Sequence, residues 1–126
     1  MKYNSLIFTY LIESNMNKLD DLISAYQAEA KKINVDIDLD LLTKVTKGLG
    51  PSIYNTDSSK VACGDQDELN RVKASFLVKK LGLADDAKLD EALKEVCSTF
   101  GSANKNKHRA LFYYLLVKKF KKESVY

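Results

Sequence analysis

Lysine side chains near the C-terminal end of the chain are the groups that could do the most specific chemistry. Residues 101–126 carry seven basic side chains and one acidic one, a net charge of +6, whereas residues 1–100 carry a net charge of −3. At 100° per residue, one sector of about 100° on a C-terminal helix would hold four of the lysines and a tyrosine ring. This basic face consists of Lys107, Tyr114, Lys118, Lys121 and Lys122.

Two interpretations of the basic face follow from its composition. The lysines could contact phosphates while Tyr114 stacks on a base, which would make the protein a weak nucleic-acid binder. Alternatively, lysines near a helix C-terminus complement the helix dipole and keep an apolar helix in contact with water. The chain has 18 lysines and only two arginines, and arginine is preferred for bidentate contacts with phosphates and bases. We therefore favour the second interpretation.

The two cysteines, Cys63 and Cys97, are too few and too far apart for a disulfide framework or a zinc site. Cys63 comes just before Asp65, the expected start of a helix, where a thiolate would be stabilised. It is thus a candidate reactive thiol, although the acidic residues that follow it oppose ionisation. Cys97 lies on an apolar helical stripe. We expect both thiols to be free and to serve packing.

Neither His108 nor the acidic clusters predict a metal site. His108 is the only histidine and lies between Lys107 and Arg109, so we expect a surface or capping side chain. The acidic clusters each precede a helix, where carboxylates act as caps. The chain contains no activated nucleophile, phosphate loop or cofactor motif. We expect no metal and no cofactor, and an enzyme is the disfavoured class.

Apolar residues recur three or four positions apart along most of the chain, which is the period of an α-helix. The stripes run from Met16 to Ile33, from Leu41 to Leu49, from Leu69 to Leu81 and from Leu89 to Phe100. Aspartates precede the last three stripes as caps, and glycines follow the last two. Residues 60–63 read as a short extended segment with no evident partner strand. The expected caps and stops are Asp36 or Asp38, Asp65, Asp85 or Asp86, Gly82 and Gly101.

The last helix should be the central one. Residues 110–117 are apolar on every side, which is typical of a helix surrounded by protein. We expect its Phe112, Leu116 and Phe120 to pack against the stripe of residues 89–100. The sequence therefore predicts an all-α, compact bundle of five or six helices with a central apolar C-terminal helix, formed by residues 1–126 as one domain.

The N-terminal residues are open to two interpretations. The apolar run at residues 6–12 is short for a signal peptide and lacks a cleavage site. Either Met1 or Met16 is compatible with a biological start, and the second would make residues 1–15 peripheral. Nowhere does the chain contain the roughly 18 consecutive apolar residues of a membrane span. We expect a cytoplasmic protein with no membrane association.

Several fragments, in order, resemble a known family. They are residues 57–63, 65–69, 78–83, 89–92, 96–97 and 112–116, with the sequences DSSKVAC, DQDEL, VKKLGL, LDEA, VC and FYYLL. The chain is similar over roughly residues 40–120 to a small bacterial family catalogued as domain of unknown function 2853. The resemblance implies a compact bacterial protein and supplies no activity or ligand.

These observations favour a small protein that acts by binding. We expect a non-catalytic module that binds another protein or associates with itself. The alternative is weak nucleic-acid binding through the basic face.

Overall fold

The computed structural model describes residues 18–55 and 58–126, and these residues form five helices. No β-strand occurs among them, so the predicted all-α fold is confirmed. The alternative starts at Met1 and Met16 and the peripheral role of residues 1–15 lie outside the described residues. The helices are α1 (residues 18–32), α2 (Leu39–Gly48), α3 (Gln66–Val72), α4 (Ala87–Phe100) and α5 (Arg109–Lys119). Short 3₁₀ turns cover Gly50–Tyr54 and Glu123–Val125.

Aspartate side chains start three of the helices, as predicted. Asp38 accepts a hydrogen bond from the Leu41 N–H, and Asp86 accepts one from the Lys88 N–H. Asp65 accepts from the N–H groups of both Asp67 and Glu68. Each bond satisfies a backbone donor that has no partner inside its helix.

Replacing the Asp65 cap should destabilise the protein measurably. Asp65→Ala removes the acceptor for two backbone N–H groups, and loss of such a cap costs about 0.5–2 kcal/mol in the free energy of unfolding. Urea unfolding followed by circular dichroism measures the change. Asp67→Ala, an exposed first-turn change that removes no cap, is the control. Equal stability of Asp65→Ala and the unaltered protein would show that the cap contributes nothing.

One helix departs from the predicted geometry. The sequence predicts a continuous α-helix over residues 66–81, but α3 continues as a π-helix over Lys73–Lys80, with the Leu81 N–H bonded to the Phe76 carbonyl five residues back. Phe76 and Leu77 are both buried, and Lys73 pairs with Asp85 and Asp90 at 2.8 and 3.0 Å. Apolar periodicity does not distinguish this wider helix, because the same side chains face the core.

Helix α5 occupies the centre of the molecule. Seven of its eleven residues are buried, and it packs against α2 and α4. The rings of Phe100 and Phe112 stack with their centroids 6.1 Å apart, joining α4 to α5. The predicted central apolar helix is therefore confirmed, and the other predicted contact residues on it, Leu116 and Phe120, are buried and half-buried.

The short extended segment at residues 60–63 does have a partner, contrary to the sequence-based expectation. The Val61 N–H donates to the Lys107 carbonyl at 2.9 Å, and the Arg109 N–H donates to the Ser59 carbonyl at 2.7 Å. These bonds form a one-residue antiparallel bridge between Lys60 and His108. The partner consists of the residues before α5, which are too few to form a periodic strand pattern.

Arg109 fixes this bridge to α3. Its guanidinium donates to the Ser58 carbonyl at 2.7 Å and forms an ion pair with Glu68. Burial alone would raise the pKa of Glu68, but hydrogen bonds from Arg109 and then Arg71 outweigh burial and hold that pKa below its usual value. The Glu68–Arg109 ion pair thus has a structural role, because it joins α3 to the start of α5.

Candidate functional site

The cysteines form a disulfide, so the expectation of two free thiols was wrong. Cys63 and Cys97 are bonded, with their Cα atoms 6.0 Å apart. The fold brings the loop before α3 against the last turns of α4, a proximity across 34 residues that no local pattern predicts. Cys63 in this state has no thiol, and its predicted role as a candidate reactive thiol would require reduction first.

Lys107 does not belong to an exposed basic face. The residue is 8% exposed, and its ammonium donates to the Asn104 carbonyl. Residue 107 precedes α5 and lies in the extended segment paired with Val61. The helical extrapolation that placed Lys107 beside the later lysines therefore fails because this residue is not helical.

Tyr114 is also buried, which corrects its predicted role as a stacking ring. Only 1% of its surface is exposed, and its hydroxyl accepts a hydrogen bond from the Asp38 N–H at 2.8 Å. Because α5 is surrounded by protein, it has no free face from which Tyr114 could stack on a base. The tyrosine instead joins α5 to the start of α2.

The three remaining lysines of the proposed face do not form one helical surface. Lys118 and Lys121 are exposed and Lys122 is half-buried, but α5 ends at Lys119. Lys121 has a φ of +54°, and the Lys122 N–H donates to the Val117 carbonyl as the chain turns away. The neighbouring Lys119 forms an ion pair with Glu95. The structure therefore does not bring the five predicted residues together.

A mainly apolar groove lies between α1 and α2. Its volume is about 600 Å³. Residues spaced four apart line it from both helices, because side chains at this spacing lie on one face of a helix. The α1 side consists of Leu19, Asp20, Ile23, Ser24 and Gln27, the α2 side consists of Leu39, Thr43 and Lys47, and Tyr54 also lines the groove.

Two large apolar side chains of this groove are exposed to solvent. Leu39 is 49% exposed and Tyr54 is 52% exposed. Among the described residues, Val125 is the only other large apolar residue classed as exposed, so two of these three residues lie on one surface. Such a concentration of apolar surface is typical of an interaction site.

The groove also carries one exposed side chain of each charge. Asp20 lies on the α1 side and Lys47 on the α2 side. Neither forms an ion pair with another residue in the described ranges. The groove surface thus combines apolar contact area with two charges that a docked molecule could neutralise.

Sequence reasoning missed this groove, although one signal was present. Leu39, Leu41 and Leu42 fall within the first turn of α2. At 100° per residue Leu39 and Leu41 lie about 200° apart, so the two cannot share one buried face. Leu41 and Leu42 are buried, which leaves Leu39 outside. The exposure of Tyr54 had no comparable sequence signal.

The described residues contain neither a metal-ligand cluster nor a helix that could span a membrane. No three His, Cys, Asp or Glu side chains among residues 18–55 and 58–126 are placed to hold a metal ion. None of the helices in the same ranges has the length and apolar character needed to cross a membrane.

Comparison with known proteins identifies a family without an assigned activity. No curated protein matches the chain. A family model described as "Protein of unknown function (DUF2853)" matches residues 25–124, which include α2 to α5 and the second half of α1. Because this match covers most of the chain, the protein belongs to the DUF2853 family.

Proposed function

We propose that this protein is a non-catalytic, self-associating module, and that the groove between α1 and α2 binds a second copy of the chain. The observation that carries the proposal is the exposure of Leu39 and Tyr54 on the groove. Burial of apolar surface is the main favourable contribution to protein association. Both side chains would lose contact with water in such a dimer.

The charges favour a second copy over an unrelated partner. In a two-fold symmetric dimer, a contact from residue i to residue j is repeated from j to i. A two-fold axis through the groove would bring Asp20 of one copy near Lys47 of the other, and the reverse pair would form at the same time. The groove is therefore complementary in charge to itself.

Sedimentation equilibrium over protein concentrations of roughly 1 to 200 μM tests the proposal, a range in which a dissociation constant in the micromolar range is measurable. We expect reversible dimerisation, and we expect Leu39→Asp to abolish it by placing a charge in the apolar contact. Val125→Asp, which adds the same charge to an exposed apolar position outside the groove, should still dimerise. A protein that stays monomeric throughout this range would contradict self-association.

A charge exchange identifies the predicted pair. Asp20→Lys and Lys47→Asp should each weaken dimerisation about two- to thirtyfold, because an exposed ion pair contributes about 0.2–1 kcal/mol and symmetry doubles it. The double variant should restore the affinity, since both pairs re-form with opposite polarity. Failure of the double variant to recover would exclude this docking geometry.

The alternative function, weak nucleic-acid binding, has lost its main support. Lys107 and Tyr114 are buried and Lys119 is paired with Glu95. Lys118 and Lys121 remain exposed, and two lysines give a small electrostatic contribution to phosphate binding. Binding of an unrelated protein to the groove remains the other expectation, and monomeric behaviour in solution would favour it.

A bacterial origin and a cytoplasmic location are expectations from the sequence. The disulfide bears on the second of them, because disulfides persist in oxidising compartments and are rare in the cytosol. Alkylation of thiols in intact host cells before lysis would distinguish the locations. Modification of Cys63 and Cys97 supports a reducing compartment, and protection of both supports an oxidising one.

A further inference from the structure

A second cavity lies next to the groove, and Tyr54 lines both. Its volume is about 440 Å³, within the range of small-molecule sites. Leu22 and Ile53 contribute apolar walls, and the rings of Tyr26, Tyr54 and His108 also face it. The cavity is large enough for a small ring compound and offers it both apolar and polar surface.

The antiparallel bridge places a lysine directly beside the histidine in this cavity. The backbone hydrogen bonds join Val61 to Lys107 and Arg109 to Ser59, so Lys60 and His108 form the non-hydrogen-bonded pair between them. Side chains of such a pair project to the same side and are close together. The backbone therefore positions one cation and one imidazole at the same wall of the cavity.

Tyr26 supplies a buried hydroxyl without a structural role. The residue is 1% exposed, and no group in residues 18–55 or 58–126 forms a hydrogen bond with its hydroxyl. The described residues contain no fully buried side-chain oxygen that lacks a partner, so the hydroxyl keeps some contact with solvent, and Tyr26 is one of the residues that line the cavity. Burial, with a smaller contribution from Tyr54, raises the pKa of Tyr26 to about 12. The group is a neutral hydrogen-bond donor at neutral pH.

His108 packs against Tyr26, and its surroundings favour the neutral imidazole. The two rings lie 5.0 Å apart between centroids, tilted by 54°. Burial lowers the pKa of His108 and the Lys60 ammonium lowers it further, while the Glu29 carboxylate opposes them. A neutral imidazole has both a donor and an acceptor nitrogen, and the His108 side chain forms no cap on α5. Its acceptor nitrogen is therefore not used as a cap on α5.

We propose that this cavity binds a small carboxylate with an apolar, ring-sized body. The carboxylate would accept hydrogen bonds from the Tyr26 hydroxyl and the Lys60 ammonium, next to His108. The body would pack against Leu22 and Ile53. This activity is separate from self-association and does not depend on it.

The charge around the cavity favours an anion. Lys18 and Lys60 line it with Asp21 as the only carboxylate among the lining residues. Lys60 forms no ion pair with any residue of the described ranges, whereas a hydrogen bond to a charged group is stronger than a neutral one. A carboxylate would thus satisfy both the unpaired ammonium and the unbonded hydroxyl.

Nuclear magnetic resonance of His108 gives a direct test, because it is the only histidine in the chain. Benzoate, titrated at pH 7 as the probe, should shift the imidazole resonances saturably. Lys60→Gln and Tyr26→Phe should each weaken this binding about ten- to a hundredfold, the effect expected from losing one hydrogen bond to a charged group. Tyr26→Phe should keep the melting temperature of the unaltered protein, since the lost hydroxyl has no structural partner.

Matched controls separate the parts of the proposal. Lys94→Gln removes an exposed lysine on α4 and should leave benzoate binding unchanged. Benzamide, which has the same shape without the charge, should bind at least fivefold more weakly, and so should inorganic phosphate, which lacks the apolar body. Absence of a saturable shift, or equal binding of benzamide or phosphate, would overturn the assignment of a carboxylate site. Leu39→Asp, which is expected to be monomeric, should bind benzoate as tightly as the unaltered protein, because carboxylate binding does not depend on the dimer.

Discussion

Reduction of the Cys63–Cys97 disulfide is expected to lower the free energy of unfolding by about 2–4 kcal/mol. The bond joins residues 34 positions apart. In the chain-entropy description, closing a loop of this length lowers the conformational entropy of the unfolded chain, which raises its free energy by about 4 kcal/mol at 25 °C. Urea unfolding with and without reductant, at equal protein concentration, measures the difference.

A double variant makes this measurement specific to the disulfide. Cys63→Ser/Cys97→Ser should be about as unstable as the reduced protein and should not respond to reductant. Both cysteines are only half-buried, so the hydroxyls add little cost of their own. If both thiols of the native, unreduced protein react with iodoacetamide, the bond is absent and this prediction is wrong.

The helices could be predicted because their signals are local. Asp65 with Glu68 three residues later, or Gly101 after a periodic stripe, identifies a helix end within a few positions. Gly101 does end α4 with a φ of +93°, a conformation that glycine adopts without strain. Burial of the stripe on α4 follows from the same periodicity, since one face of that helix is apolar.

The candidate sites could not be predicted in the same way because each joins distant residues. The disulfide, the Lys60–His108 bridge and the groove depend on how helices pack, which no local spacing encodes. Tyr114 is instructive, since α5 was predicted to be apolar on all sides and central. A helix with those properties has no exposed face, so its burial and the proposed stacking of Tyr114 were incompatible from the start.

The expected roles of two side chains, His108 and Lys107, were also wrong, because the role of each depends on the residues that surround it in the fold. His108 was expected at the surface or as a cap; it occupies the N-cap position of α5, but its side chain makes no cap hydrogen bond and packs half-buried on the Tyr26 ring. Lys107 was predicted to belong to the exposed basic face, but its ammonium donates a hydrogen bond to the Asn104 carbonyl. The chemistry of both residues is set by the segment before α5, which is extended and paired with residues 59–61.

Leu93→Ala should have the largest effect of any single change considered, a loss of about 2–5 kcal/mol in the free energy of unfolding. Leu93 lies in α4 with 2% of its surface exposed, on the helix that packs against both α5 and the π-helical segment. Truncation removes apolar contacts and leaves a cavity, and close packing on both sides prevents the surroundings from collapsing into it.

Urea unfolding of Leu93→Ala beside Lys94→Ala measures this effect and controls for a change of helix propensity. Lys94 is exposed on the next position of the same helix, and its replacement by alanine should change the stability by less than about 0.5 kcal/mol. A similarly small change for Leu93→Ala would place that side chain outside the core. It would also contradict the packing of α4 against α5, on which the central position of α5 depends.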